Sequence, residues 1–147
     1  MKRLTFFMLL CCLASGAFAA NPIVGERALK SFHALFSNVQ NVVWISGKEY
    51  SDVSFKAEGK LMKARFDNAG NLIQTIRYYK EEGLPVFVRQ RIRKQYKGCE
   101  IYGVTELYTK DALTYTFSLR NDRHLFVVLA DLNGEVISSK KYTRSEP

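Results

Sequence analysis

Cysteine is nearly missing from this chain: Cys11 and Cys12 stand side by side near the start, and Cys99 stands alone. One thiol beyond residue 20 makes no internal disulfide, so the fold has to be held by its core. Histidine is scarcer still, with only His33 and His124. A metal site needs clustered Cys, His, Asp or Glu at ligand spacing, and the sequence offers none, so neither metal nor cofactor is expected. G-x-S-x-G elbows, H-E-x-x-H helices and phosphate-cradling glycine loops are missing too, and the chain reads as a non-enzyme. No apolar run reaches the roughly 20 residues of a membrane-spanning helix. Acidic residues number 14 against 22 basic ones, a net charge of +8. That excess favours acidic partners or envelope surfaces without naming one. What is present is apolar material: 47% hydrophobic and 13% aromatic residues exclude disorder. The length of 147 residues allows one domain, or two small units sharing a core.

The first residues differ from the rest. Lys2 and Arg3 precede a short apolar run from Leu4 to Leu13, and Ala17-Phe18-Ala19 supplies a small-x-small cleavage pattern. Positive start, apolar middle and small end make an export signal over residues 1–19, cut before Ala20. The rival is a lipoprotein signal at Cys11 or Cys12. It wants a small residue before the cysteine, where Leu10 and Cys11 stand. The reading is therefore a soluble periplasmic or secreted protein, with both early cysteines removed. The remaining Cys99 is expected to be a buried small hydrophobe.

Self-similarity organises the remainder. At an offset of 64, Asp67-Asn68-Ala69-Gly70 falls on Asp131-Leu132-Asn133-Gly134, Trp44 on Tyr108, Val53 on Phe117 and Phe55 on Leu119. Upstream, Ala28 falls on Ile92 and Phe32 on Tyr96. Two halves follow, 20–83 and 84–147, each expected to hold one helix and four strands. In the first, Asn21 caps, Pro22 starts the helix, and Ala28, Leu29, Phe32, Leu35 and Phe36 recur at three and four. In the second, Leu84-Pro85 restarts the chain, Val88, Ile92 and Tyr96 form the stripe, and Gly98 ends it. Alternation predicts strands at 42–46, 50–57, 61–66 and 71–79, then 104–110, 113–120, 124–130 and 135–143. Gly47, Glu58-Gly59 and Asn121-Asp122 mark tight turns. Asp67 and Asp131 begin hairpin turns in which Gly70 and Gly134 take the left-handed conformation. The same D-x-x-G pattern occurs in calcium loops, but the further oxygen ligands are missing.

Val43-Trp44, the Phe66-Asp67-Asn68-Ala69-Gly70 turn and Leu84-Pro85 together carry a resemblance over residues 22–143. The chain resembles the PepSY-like, β-lactamase-inhibitor-like proteins of the bacterial envelope. That resemblance implies an α+β fold of two tandem α-β4 repeats. Their antiparallel sheets would join into one eight-stranded curved sheet with the helices on one face. It also implies a binding or inhibitory module; no residue carries inhibition over.

Five of nine residues in Arg89–Lys97 are basic. An exported protein seldom meets nucleic acid, so no nucleic-acid partner is expected; a solvated helix face is the first reading, an anionic lipid surface the second. On the third strand of the first half, Met62, Ala64 and Phe66 oppose Leu61, Lys63 and Arg65. In the second half, Phe126, Val128 and Ala130 oppose Leu125, Val127 and Leu129, so that strand is apolar on both sides. Packing of that strand against the other half would cover it; otherwise it lines a groove. The candidate ligand-binding residues are Trp44, Lys63, Arg65, Tyr108, Leu125, Val127 and Leu129, with the two aromatics read as core first and stacking platforms second. The expected function is recognition of a protein, peptide or envelope component on the sheet face away from the helices. An enzyme whose carboxylates meet only in space is the remaining alternative.

Overall fold

The structure, a computed structural model, describes residues 24–144. The export signal, its cleavage point, Asn21 and Pro22 lie outside the described residues. Helix α1 spans Glu26–Leu35 and is followed by strands β1 (Gln40–Ser46), β2 (Tyr50–Ala57), β3 (Lys60–Asp67) and β4 (Leu72–Tyr79). A short 3-10 turn at Glu81–Gly83 leads to helix α2 (Val86–Gln95) and strands β5 (Glu100–Thr109), β6 (Leu113–Arg120), β7 (His124–Asp131) and β8 (Val136–Thr143). The eight strands form one antiparallel sheet in sequence order. The halves therefore lie side by side, joined where β4 pairs with β5.

Turn chemistry makes the hairpins. Asp67 accepts the Gly70 N–H on its carbonyl (3.0 Å) and the Asn71 N–H on its carboxylate (2.8 Å). Asp131 does the same for Gly134 (3.0 Å) and Glu135 (2.8 Å). Gly70 has φ 87° and Gly134 φ 76°, backbone that costs other L-residues roughly 1–2 kcal/mol. Both loops also touch a helix. A Cβ on Gly70 would lie 2.9 Å from the Arg27 carbonyl oxygen, and one on Gly134 would lie 3.3 Å from the Val88 Cα. Between β2 and β3, Glu58 and Gly59 both take positive φ, as a two-residue hairpin turn requires.

Both helices pack on one face of the sheet. Ala28 and Phe32 of α1 meet Val53, Phe55, Met62, Ala64 and Phe66. Val88 and Ile92 of α2 meet Ile101, Val104, Phe117, Leu119 and Val128. The gap-free 64-residue alignment fails upstream of β2. Ala28 and Phe32 are matched by Val88 and Ile92 as the buried residues of their helices, an offset of 60. Strand β1 shares that offset: Trp44 pairs with Val53, and Val104 pairs with Phe117. The β5–β6 hairpin is therefore four residues longer than the β1–β2 hairpin, two in each strand. Trp44 corresponds to Val104, and Tyr108 belongs to the added length.

Glu81, at the junction of the halves, has a side chain only 15% exposed and forms an ion pair with Arg93 of α2. One local reading changes. Cys99 is half-buried beside the second core, with the Asn121 amide 3.7 Å from its Sγ.

Candidate functional site

Directly opposed residues in an antiparallel ladder point to the same side, so the pairings define what the helix-free face carries. In the first half, β1 contributes Val43 and Ile45, paired with Ser54 and Asp52 of β2. Asp52 and Ser54 oppose Arg65 and Lys63 of β3, which oppose Gln74 and Ile76 of β4. Leu61 and Tyr78 complete the patch. Ile45, Asp52, Ser54, Lys63, Arg65, Gln74, Ile76 and Tyr78 line a shallow concavity of about 240 Å³.

Charge in the concavity is unevenly distributed. The Arg65 guanidinium grips Asp52 with two bonds, Nε to Oδ1 at 2.7 Å and Nη2 to Oδ2 at 2.9 Å. Its hydrogen bond holds the Asp52 carboxyl below its ordinary value against the opposing effect of burial, with smaller help from the charges of Arg65 and Lys63. Arg65 is pushed up in turn by that bond, and its Cζ lies 5.5 Å from the Tyr50 ring centre. Lys63 has no carboxylate partner among the described residues; its Nζ sits 5.9 Å from the Tyr78 ring centre. The site therefore offers one uncommitted cation flanked by Ile45, Ile76 and an aromatic ring.

The seven residues singled out from the sequence do not assemble into one groove. Lys63 and Arg65 lie in the concavity. Leu125, Val127 and Leu129 are on the same open face but on β7, four strand positions away, roughly 19 Å at the usual spacing. Val127 is 39% exposed, and it pairs with Ser118 and Lys140 on its two sides. No described residue of the first half lies over it, because the halves are neighbours in one sheet rather than stacked layers. Trp44 and Tyr108 are on the helix side. Trp44 packs its ring 5.3 Å from Phe32 and 6.0 Å from Phe66, while Tyr108 is 50% exposed beyond the second core. Sequence reasoning missed Ile45, Asp52, Gln74, Ile76 and Tyr78. The signal was there: the D-x-x-G turn sets β4 against β3, and that register places Ile76 opposite Lys63.

A second cleft, about 300 Å³, opens on the helix side between the two cores and is lined by Met62, Arg77, Tyr79 and Glu106 among others. The Tyr79 hydroxyl donates to Glu106 Oε2 at 2.6 Å, and Arg77 lies 3.5 Å from the same carboxylate. Burial, then the Glu106 bond and charge, push the Tyr79 phenol well above its ordinary value. Such a phenol is a held donor, not a base. The carboxylates whose acidity is displaced among the described residues, Asp52, Asp67 and Glu100, are all displaced downward by hydrogen-bond donors. General acid catalysis needs the opposite. No group of three or more His, Cys, Asp or Glu is placed to hold a metal among the described residues.

No family model matches the sequence, and no curated protein matches it. Solved structures do share the fold. A DUF2874 family protein from Bacteroides ovatus superposes with a TM-score of 0.67 at 14% identity, covering 82% of this chain and 87% of that one. A BLIP-like protein from Bacteroides fragilis gives 0.66 at 15% identity over 82% and 88%. A protein from Bacteroides eggerthii, assigned to the periplasm, gives 0.66 at 12% identity over 80% and 88%. At these identities the likeness is one of fold. This chain has the α+β architecture of the BLIP-like proteins: two helices on one side of an open eight-stranded sheet.

Proposed function

We propose that this chain is an exported, non-enzymatic binding module of the bacterial periplasm that takes a protein, peptide or envelope component on its open sheet face. The observation that carries this reading is the concavity, uncovered among the described residues, in which Lys63 has no carboxylate partner among them and stands between Ile45, Ile76 and Tyr78. Export is supported by the signal pattern of residues 1–19, and the periplasm by the assignment of the B. eggerthii protein of the same fold. Inhibition of a partner enzyme is one form that such binding takes; the BLIP-like name of the B. fragilis protein supports it at the level of fold.

Lys63 is the side chain to change. Arg65→Glu would set a second carboxylate opposite Asp52 and break its ion pair, whereas Lys63 stands opposite Ser54 and Ile76, so Lys63→Glu leaves the Asp52–Arg65 pair in place. With the mature chain as bait in periplasmic extract, Lys63→Glu is expected to cut recovery of the bound component at least about tenfold, with the melting temperature within roughly 2 °C of wild type. Equal recovery by both baits overturns the placement of the site. Mass analysis of the exported protein checks the compartment: Ala20 at its start supports a cleaved signal, and Met1 retained removes it.

The membrane-surface alternative loses ground to two ion pairs. Within the basic segment, Arg93 is held by Glu81 and Arg91 by Glu135 at 2.9 Å.

A further inference from the structure

The two edges of the sheet are built on opposite rules. An edge strand presents unpaired N–H and C=O groups, and proteins guard it with charge, proline or a bulge. Strand β8 is guarded: it carries Lys140 and Lys141, and Arg144 follows it. Strand β1 carries no charge at all. From Ala34 to Gly47 no residue is ionisable, in a chain where 24% of residues are charged. Its Val43 and Ile45 are 59% and 67% exposed, and among the described residues β1 pairs only with β2.

The free backbone groups of β1 can be named. The Gly47 N–H donates to the Tyr50 carbonyl at 2.8 Å. Alternation of the antiparallel ladder then turns the backbone groups of Ile45 and Val43 toward β2 and those of Trp44 and Ser46 outward. The register shift between Gln40 and Val43, where Asn41 has φ 54°, confines any new ladder to Val43–Ser46.

We infer that β1 is a self-association edge, pairing antiparallel with β1 of a second copy of this chain to make a two-fold dimer with a continuous sixteen-stranded sheet. Three features select a second copy. Two-fold pairing sets Ile45 against Ile45 or Val43 of the other copy on the open face. No charge on β1 opposes another. The guarded β8 edges at the far ends stop further growth, so the assembly closes at two. The short ladder makes the association weak, and it brings two concavities onto one surface.

Sedimentation of the mature chain from about 10 µM to about 1 mM tests the inference. A dimer fraction that rises with concentration is expected. Ile45→Lys is expected to raise the dimer dissociation constant at least about tenfold while leaving the melting temperature close to wild type. Cysteine cross-linking on a Cys99→Ala background checks the strand itself. Ile45→Cys alone bridges copies if the two-fold passes through Ile45, and a mixture of Val43→Cys and Ile45→Cys chains bridges if it passes through Trp44. A monomer at every concentration overturns the inference. So does a dimer untouched by Ile45→Lys, and so does open-ended growth, which would mean that β1 pairs with β8 of the next copy.

Discussion

Under α1, Phe32 is fully buried with its ring centre 5.1 Å from Phe55, 5.3 Å from Trp44 and 5.5 Å from Phe36. Under α2, at the corresponding point, Ile92 is equally buried among Val88, Val104, Leu119 and Val128. At the helix centre one plan is thus filled twice, by rings in the first half and by branched aliphatics in the second, whose own buried rings, Tyr115 and Phe117, sit on β6. The strands show a second contrast. In β4, Ile76 and Tyr79 lie between two neighbours; in β8, Lys140 and Thr143 take their places at an edge. The lesson is that topology dictates where an apolar residue is needed, and position in the sheet decides whether the second copy of that site keeps it.

The largest test of the contrast is truncation at the two helix centres. Phe32→Ala should cost about 4 kcal/mol and Ile92→Ala about 3 kcal/mol, because the lost ring leaves the bigger cavity. Denaturant melts measure both, and a larger loss for Ile92→Ala would break the contrast. The paired turns give the next effect. Gly70→Ala meets both a forbidden φ and a backbone oxygen at 2.9 Å, and Gly134→Ala meets the φ with contacts of 3.3 Å. Losses of about 3 and about 2 kcal/mol are expected; equal losses would show that Arg27 yields as easily as Val88.

The smallest effect concerns a residue that only the first half has. Tyr79→Phe removes the hydroxyl bonded to Glu106 and should cost about 1–2 kcal/mol at pH 7. Folding raises the phenol's pKa, so its contribution is complete below the unfolded value of about 10 and is lost as pH climbs beyond it. The gap between wild type and Tyr79→Phe should therefore narrow in alkaline melts. Thr143→Val, at the matching edge position, should change little; a pH-independent gap between wild type and Tyr79→Phe would mean that folding does not raise the phenol's pKa.

Much of the fold was legible in residue order. The β2, β6 and β7 strands begin where alternation placed them, and the D-x-x-G turns bond as their chemistry required. The misplaced pieces were non-local. Aligning Phe32 with Tyr96 assumed hairpins of equal length, and nothing within either segment records that β5–β6 is four residues longer; only the pairing of Val104 with Phe117 does. Lys63 and Arg65 were found as polar residues on an alternating strand. Their separation by three strands from Leu125, Val127 and Leu129 was invisible, because strand order is decided by which edges meet.

The sequence by itself determined the elements, their turns and the face that each strand turns to the helices, since these follow from dihedral preference and a period of two residues. Tertiary structure alone decided which strands became edges, which face stayed uncovered and which cation found a partner. Those outcomes depend on residues brought together from far along the chain, as when Glu135, in the turn after β7, takes Arg91 of α2.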